Sequence, residues 1–187
     1  IAAASVSGGF GMNVANSGTG SLSVTTTGTV TGTTGRGLVA RNQGTGLNMG
    51  VNVANVTGAT EGVYAVNNGR GTMTVTSTGT ITGTSRNGLW VQNSGSNLAI
   101  STASVSGGID GIFARNIGAG AFSLTSTGNV TGVGNGIRAD NFGTNMSIAV
   151  ASVSGSVGMA LDNQGTGSTS VTATGSGPNV ATAGASR

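Results

Sequence analysis

The chain has 187 residues, of which 37 are glycine, one is proline and 6% are charged. This composition is unlike that of an average globular domain, yet an apolar fraction of 36% supplies enough side chains for a core and excludes simple disorder. Seven arginines and four acidic residues leave a net charge of +3. This charge is too dilute for a nucleic-acid-binding surface, so no nucleic-acid partner is expected.

Missing residue types narrow the chemistry further. The chain has no cysteine, histidine or lysine, which excludes disulfides, thiolate chemistry and the common pairings of a nucleophile with a base. No enzyme activity, cofactor or metal site is expected, because four acidic residues cannot supply repeated calcium sites. The sequence has no apolar run long enough to span a bilayer, so this segment is not expected to insert into a membrane.

A phrase of 22 to 26 residues recurs along the chain. It begins with a segment in which apolar and polar residues alternate, such as Leu22 and Val24 among Ser and Thr. A shorter segment follows, centred on an apolar residue such as Val30, and a glycine then precedes a third segment, such as GLVARN from Gly37. The period of two predicts three strands per phrase, and the glycines predict corners between them.

Each phrase ends with an asparagine, and the seven copies are in register. We interpret the asparagines as an internal ladder in which each side-chain amide bonds to the next coil. Seven equivalent copies suit a structural device better than a ligand site. The members of this column are Asn16, Asn42, Asn67, Asn93, Asn116, Asn141 and Asn163.

Two kinds of phrase alternate. One has a threonine-rich first half, as in SLSVTTTGTVTG from Ser21 and TMTVTSTGTITG from Thr72. The other is richer in Ala and Ser, as in LAISTASVSGG from Leu98 and MSIAVASVSG from Met146. A duplicated two-coil unit of about 50 residues accounts for this alternation.

These features predict an all-β fold: a right-handed parallel β-helix of seven to eight coils with three short strands per coil. A phrase this short cannot bury its own apolar face, so the coils must stack. Residues 1–187 are expected to form one solenoid domain without helices. Both ends of the sequence fall within a coil, which predicts a fragment of a longer repeat protein or end-to-end association through open strand edges.

The recurring V-T-G or V-S-G, G-[LI]-x-A-x-N and T-G-T-G-x-L motifs resemble those of the repetitive β-helical passenger regions of bacterial autotransporters and related large surface adhesins. The resemblance covers residues 1 to about 175. It implies an extracellular or bacterial cell-surface protein that mediates attachment or self-association without catalysis. A glycan, a surface receptor or a neighbouring solenoid is the partner that it implies.

The outward positions of the third strand hold the candidate binding site. Tyr64, Trp90 and Phe113 occupy one position in successive phrases, and Arg115 and Arg138 lie beside them. An exposed aromatic strip edged by arginines fits a sugar ring or a partner protein. The alternative is that the rings stabilise cross-strand pairs or are covered by a neighbouring segment.

Asp140 and Asp162 occupy equivalent positions on adjacent coils. Two carboxylates about 5 Å apart could serve a retaining glycosidase. We interpret them instead as structural charges that pair with Arg115 and Arg138, because no long loop interrupts the phrases to build a cleft. A polysaccharide-active enzyme is therefore the least favoured function.

Small polar residues flank the central apolar residue of the second strand in every phrase. This pattern resembles the T-x-T arrays of ice-binding solenoids, in which ranked threonines order water, and it defines an alternative function on a second face. Ser and Asn interrupt the columns, and ordinary β-helices also place Thr and Ser on exposed strands. The threonines at these positions are Thr29, Thr31, Thr57, Thr80, Thr82 and Thr131.

Overall fold

Parallel strands stack into a β-solenoid of about seven turns with about 24 residues per turn, as seen in a computed structural model that describes residues 1–175. The predicted all-β parallel solenoid is confirmed, while its right-handedness stays a prediction. Residues 1–175 contain no helix, and hence none that is long and apolar enough to cross a membrane. The incomplete coil predicted at the end of the sequence, from Ser176 onward, lies outside the described residues.

Each coil contributes strands to three sheets, which we call A, B and C. Sheet A holds the first strand of each coil: β1 (Ala2–Ala3), β4 (Leu22–Thr26), β7 (Met49–Val53), β10 (Met73–Ser77), β13 (Leu98–Thr102) and β20 (Thr169–Ala173). Sheet B holds the second: β2 (Val6–Gly8), β5 (Thr29–Gly32), β8 (Asn55–Gly58), β11 (Thr80–Gly83) and β14 (Ser104–Gly107). Sheet C holds the third: β3 (Met12–Asn16), β6 (Leu38–Asn42), β9 (Val63–Asn67), β12 (Leu89–Asn93), β15 (Ile112–Asn116), β17 (Asn135–Asn141) and β19 (Val157–Asn163).

The sixth and seventh coils differ from the predicted pattern of three separate strands. There β16 (Phe122–Gly132) and β18 (Met146–Ser154) run through the first corner and join sheets A and B. A register shift between Ser126 and Asn129 absorbs the corner, so the two strands stay paired on both sides of it.

Inward side chains from the three sheets form one continuous core along the axis. On sheet C, Leu38, Val63, Leu89 and Ile112 follow one another in register and are all 0% exposed. Burying such a side chain contributes about 1.5–3 kcal/mol. The alternation of apolar and polar residues in the sequence therefore shows which side chains enter this core.

Side-chain contacts between coils explain why two kinds of phrase alternate. Asn97 begins the fifth coil, and its Oδ1 accepts a hydrogen bond from the backbone N–H of Ala121 in the sixth coil at 2.9 Å. Asn48 and Asn145 make the same bond from the third and seventh coils. This second asparagine column recurs only every two coils.

The first corner shows the same two-coil period. Asn55 Oδ1 in the third coil accepts from the N–H of Thr80 in the fourth at 2.9 Å. A Cβ on Gly79, directly above, would overlap that oxygen. Coils of the other kind carry an alanine at this position, as at Ala54 and Ala103. A coil with glycine at this corner therefore fits on a coil with alanine there, and the two coils together form the structural repeat.

Candidate functional site

The asparagine column forms a hydrogen-bonded ladder at the end of sheet C. Each Nδ2 donates to the Oδ1 of the next asparagine at 2.8–2.9 Å, from Asn16 through to Asn163. At Asn93, Nδ2 also donates to Ser96 O, and Oδ1 accepts from the N–H of Gly95. The five central members are 0% exposed. With their polar atoms bonded to protein partners, these side chains offer little to an external ligand.

The predicted aromatic strip is a stack of rings on the outer side of sheet C. Tyr64, Trp90 and Phe113 are register partners. The ring centroids of Tyr64 and Trp90 are 4.5 Å apart and those of Trp90 and Phe113 are 5.6 Å apart, with interplanar angles of 14° and 20°. The strand spacing of about 4.8 Å is close to a stacking distance, so the rings stand on the sheet face to face.

Stacking changes what the strip can offer to a ligand. Neighbouring rings cover both faces of Trp90, and Tyr64, Trp90 and Phe113 are half-buried rather than exposed as the sequence predicted. The ring edges remain at the surface. A sugar ring therefore has no free face of Trp90 on which to stack.

Arginines close both ends of the stack. The Cζ of Arg36 lies 4.1 Å from the ring centroid of Tyr64, and that of Arg41 lies 5.3 Å from it. At the other end, the Cζ of Arg138 lies 5.3 Å from the ring centroid of Phe113. Each such cation–π contact contributes about 0.5–1 kcal/mol when exposed. Arg36 was missed from the sequence because it lies in a corner, outside the alternation of the strands.

Two outward valines show how closely this part of sheet C is covered. Val39 and Val66 point away from the core, yet they are 2% and 8% exposed. Val39 is the register partner of Tyr64, and Val66 that of Arg41. The outer side of the second to fourth coils thus has a small apolar cluster of its own, which favours the interpretation that the rings stabilise cross-strand pairs.

A buried carboxylate holds the corner beside this cluster. Glu61 is 4% exposed, and its Oε2 accepts from Arg36 Nε at 3.0 Å, while its Oε1 lies 3.6 Å from the guanidinium Nη1 of Arg86. Burial alone raises the pKa of Glu61, but hydrogen bonds from Arg36, from its own backbone N–H and from Thr60, together with the charge of Arg36, outweigh it, so the pKa lies below its usual 4.5. Glu61 is charged at neutral pH and positions Arg36 over Tyr64.

The equivalent corner two coils later holds Asp110, which is 6% exposed. Its Oδ1 accepts from Asn135 Nδ2 at 2.7 Å and from Asn135 N at 3.0 Å. This corner column was not predicted from the sequence. Its signal is a polar or charged residue directly before the glycine that opens the third strand.

Asp140 and Asp162 are register partners on β17 and β19 and line a shallow pocket of about 250 Å³ with Arg138. The ion pairs predicted for them do not form. Both ion pairs within residues 1–175 involve Glu61 instead. Arg138 lies over a phenylalanine ring instead, and so does Arg115. Asp162 accepts from a neighbouring glutamine at 2.6 Å. Neither aspartate therefore makes an ion pair within residues 1–175, although Arg115 is the register partner of Asp140 and Arg138 lines the same pocket.

The charged residues that the structure describes are confined to one side of the solenoid. Within residues 1–175, none lies on a strand of sheet A or sheet B. Those on sheet C strands are Arg41, Arg115, Arg138, Asp140 and Asp162, and those in the corners beside it are Arg36, Glu61, Arg70, Arg86 and Asp110. The described part of the molecule therefore has one charged, aromatic side and two neutral sides of hydroxyl and amide groups.

The predicted threonine columns lie on sheet B. Thr31, Thr57 and Thr82 are successive register partners, and Ser106 and Thr131 continue the column. In the parallel column, asparagines and serines interrupt the threonines, which are Thr29 and Thr80. All of these side chains are exposed or half-exposed.

Comparison with protein-family models, with curated proteins and with solved structures gives no match for this chain. The fold alone therefore defines the class of protein, a parallel β-solenoid with a buried asparagine ladder and a single charged side.

Proposed function

We propose that the chain is a non-catalytic attachment solenoid, displayed at the bacterial cell surface or secreted, that contacts its partner through the outer side of sheet C. The confinement of charged and aromatic side chains to this one side supports the proposal most. Aromatic and arginine side chains are the types enriched where proteins bind one another. In this proposal, sheets A and B are uncharged and serve as the scaffold that carries the contact side.

Two further features favour binding over catalysis. Asp140 and Asp162 lie on an open sheet face with a shallow pocket, whereas glycosidases enclose their substrate in a cleft. The chain also has no histidine, cysteine or lysine to act as base or nucleophile. The cell-surface location rests on the resemblance of the repeated motifs to surface passenger proteins.

An attachment assay on the purified chain coupled to beads tests this proposal, with bacterial cells, host cells and a glycan array as targets. The sheet C variant combines Trp90→Ala with Arg138→Ser, and the control variant combines Thr31→Tyr with Thr82→Tyr on sheet B. We expect the sheet C variant to lose about 2 kcal/mol or more of binding energy and the sheet B variant to attach normally. Equal attachment of wild type and sheet C variant overturns the proposal.

Ice binding through sheet B is a second candidate, supported by the register of Thr31, Thr57 and Thr82 on a face without charges. The bulky tyrosines of the Thr31→Tyr, Thr82→Tyr variant would break this flat array. For an ice-binding solenoid, this variant abolishes thermal hysteresis and ice shaping, while Trp90→Ala leaves both unchanged. The two sets of variants therefore separate the two candidate functions.

A further inference from the structure

A groove lies on the outer surface of the second to fourth coils, where sheet A turns into sheet B. It has a volume of about 330 Å³ and is lined by residues of three successive coils, among them Thr25, Asn52 and Thr76. Pockets that bind small molecules begin at about 300 Å³. The groove can therefore take a small ligand or part of a longer one.

The two-coil repeat gives the groove its shape. Thr27, Ala54 and Thr78 follow one another along the corner, since Ala54 N bonds to the second coil and Thr78 N bonds to the third. All three line the groove, and alanine is the shortest of these side chains, so it leaves a notch between two threonines. Val53, which is 3% exposed, lines the groove beside the notch. The floor is thus apolar.

A row of free polar side chains borders the notch. Thr25, Asn52 and Thr76 are register partners on β4, β7 and β10. The neighbouring Ser77 bonds to backbone oxygens through its hydroxyl, whereas the three side chains of the row make no hydrogen bond among the described residues. Successive members are about 4.8 Å apart, so the row spans about 10 Å. It offers donors and acceptors at a fixed spacing beside the apolar floor.

A buried hydroxyl at the groove also lacks a partner. Thr26 lines the groove and is 4% exposed, and its Oγ1 makes no hydrogen bond within the described residues. Leaving a buried polar group unsatisfied is unfavourable. Rotation between staggered χ1 rotamers can turn this hydroxyl toward a polar group that enters the groove.

We propose that this groove, the A–B groove, binds an uncharged oligosaccharide that lies along the solenoid axis. Sugar rings have apolar C–H faces and a rim of hydroxyl groups, which match an apolar floor beside hydroxyls and an amide. Within the described residues, no charged side chain lies on a strand of sheet A or sheet B, so a charged ligand would lose hydration without gaining a partner. The site goes beyond the proposed attachment through sheet C and does not depend on it.

Asn52 distinguishes this groove from the rest of the corner. The same position holds Ser101 in the fifth coil and Ala149 in the seventh. An amide donates two hydrogen bonds and also accepts them, whereas a serine hydroxyl donates one and an alanine side chain none. Asn52 is therefore the residue whose loss should weaken binding most.

An NMR titration of the isotopically labelled chain tests the proposal. The probe is cellotetraose, and the comparison is tetragalacturonic acid, a charged sugar chain of the same number of units. We expect saturable shifts of the amide signals of residues 25–27, 52–54 and 76–78, which surround the groove, and weaker binding of the charged chain. Absence of saturable binding of cellotetraose, shifts confined to other residues, or equal binding of the charged chain overturns the proposal.

Variants locate the binding on the chain. Asn52→Ala should weaken cellotetraose binding about threefold to tenfold, as expected for lost hydrogen bonds, while the control Asn68→Ala, an exposed asparagine of the same coil on the sheet C side, should not. Thr26→Val keeps the shape of the side chain and should also weaken binding. Thr102→Val removes a buried hydroxyl without a partner that lies outside the groove, and should not. Wild-type affinity in Asn52→Ala, or equal affinities of the two valine variants, overturns the proposal.

The same probe separates this site from the attachment function. The sheet C variant leaves the A–B groove intact and should bind cellotetraose as wild type does. If that variant loses attachment but cellotetraose does not bind to the wild type, the inference fails and the attachment function stands. If cellotetraose binds in the groove and the sheet C variant attaches normally, the attachment function fails and the inference stands.

Discussion

Asn93 shows how much one buried side chain contributes to this solenoid. Its amide accepts from Asn67, donates to Asn116, and bonds to the backbone of its own corner through Ser96 O and Gly95 N. All of this takes place at 0% exposure. A buried amide is costly without partners, so the ladder stabilises the fold only while it is continuous.

Replacing Asn93 by alanine should therefore be severe. Asn93→Ala leaves Asn116 Oδ1 without its donor and breaks the ladder at its centre, so we expect the free energy of unfolding to fall by about 2–4 kcal/mol. Urea denaturation followed by circular dichroism measures the change. The matched control is Asn68→Ala, an exposed asparagine of the third coil, which should change the midpoint little. Similar midpoints for the two variants would contradict the ladder's structural role.

Glu61 gives the stability a dependence on pH. Its pKa in the folded chain is below 4.5, so as the pH falls through 4.5 the unfolded chain takes up the proton first. The stabilisation from Glu61 is present above that pH and is lost as the pH falls through the folded pKa. We expect Glu61→Gln to weaken the dependence of the unfolding free energy on pH in this acidic range. Urea denaturation of wild type and variant at a series of pH values measures the slope, and an unchanged slope in the variant would contradict this role of Glu61.

At the scale of the strand, the aromatic stack has a role in stability that its surface position hides. Trp90 lies between the rings of Tyr64 and Phe113, and arginines lie over both of these outer rings. The outward-pointing Val39, register partner of Tyr64, is only 2% exposed. Three neighbouring strands of sheet C are thus joined on both of their faces. The core and the outer stack together fix this part of the sheet.

Trp90→Ala should accordingly lower stability as well as attachment. Loss of two ring contacts, at about 0.5–1.5 kcal/mol each, gives an expected decrease of about 2 kcal/mol in the free energy of unfolding. Trp90→Phe keeps a ring in the stack and should retain most of the wild-type stability. Denaturant titrations of the two variants measure the free energy of unfolding. An alanine variant as stable as wild type would show that the stack does not stabilise the fold.

The strands were predictable from sequence because alternation reports directly which way a side chain points. Leu22 and Val24 enter the core as their spacing requires. Corner residues carry no such signal, so the pairing of Arg36 with Glu61 was not foreseen. The choice of Arg138 between a carboxylate and a ring was predicted wrongly, because register fixes which residues are neighbours but the side-chain rotamer decides which neighbour is contacted.

At the scale of the whole molecule, the two-coil repeat makes the interfaces between successive coils unequal. Side chains of the third coil bond to the fourth, as Asn48 and Asn55 do, and those of the fifth bond to the sixth, as Asn97 does. Between the fourth and fifth coils, the asparagine ladder is the only side-chain hydrogen bond among the described residues. The molecule is therefore a stack of pairs.

Deleting coils in different numbers tests this pairing. Removal of residues 72–120 sets the sixth coil on the third, so Asn48 meets the N–H of Ala121 and the alternation is kept. Removal of residues 72–96 sets the fifth coil on the third and brings Ala103 over Asn55, where a Cβ has no room. We expect the longer deletion to melt at the higher temperature, although size alone favours the shorter deletion. The reverse order in thermal unfolding would contradict the pairing.

Pairing of coils also has a mechanical consequence. A solenoid anchored at one end and pulled at the other loads its coils in series, and the weakest interface yields first. With few side-chain bonds between pairs, the molecule should act as a chain of links that give way two coils at a time. Rupture of one link, such as residues 47–96, would release about 170 Å of extended polypeptide, so that a tether under load lengthens in steps while the remaining links hold.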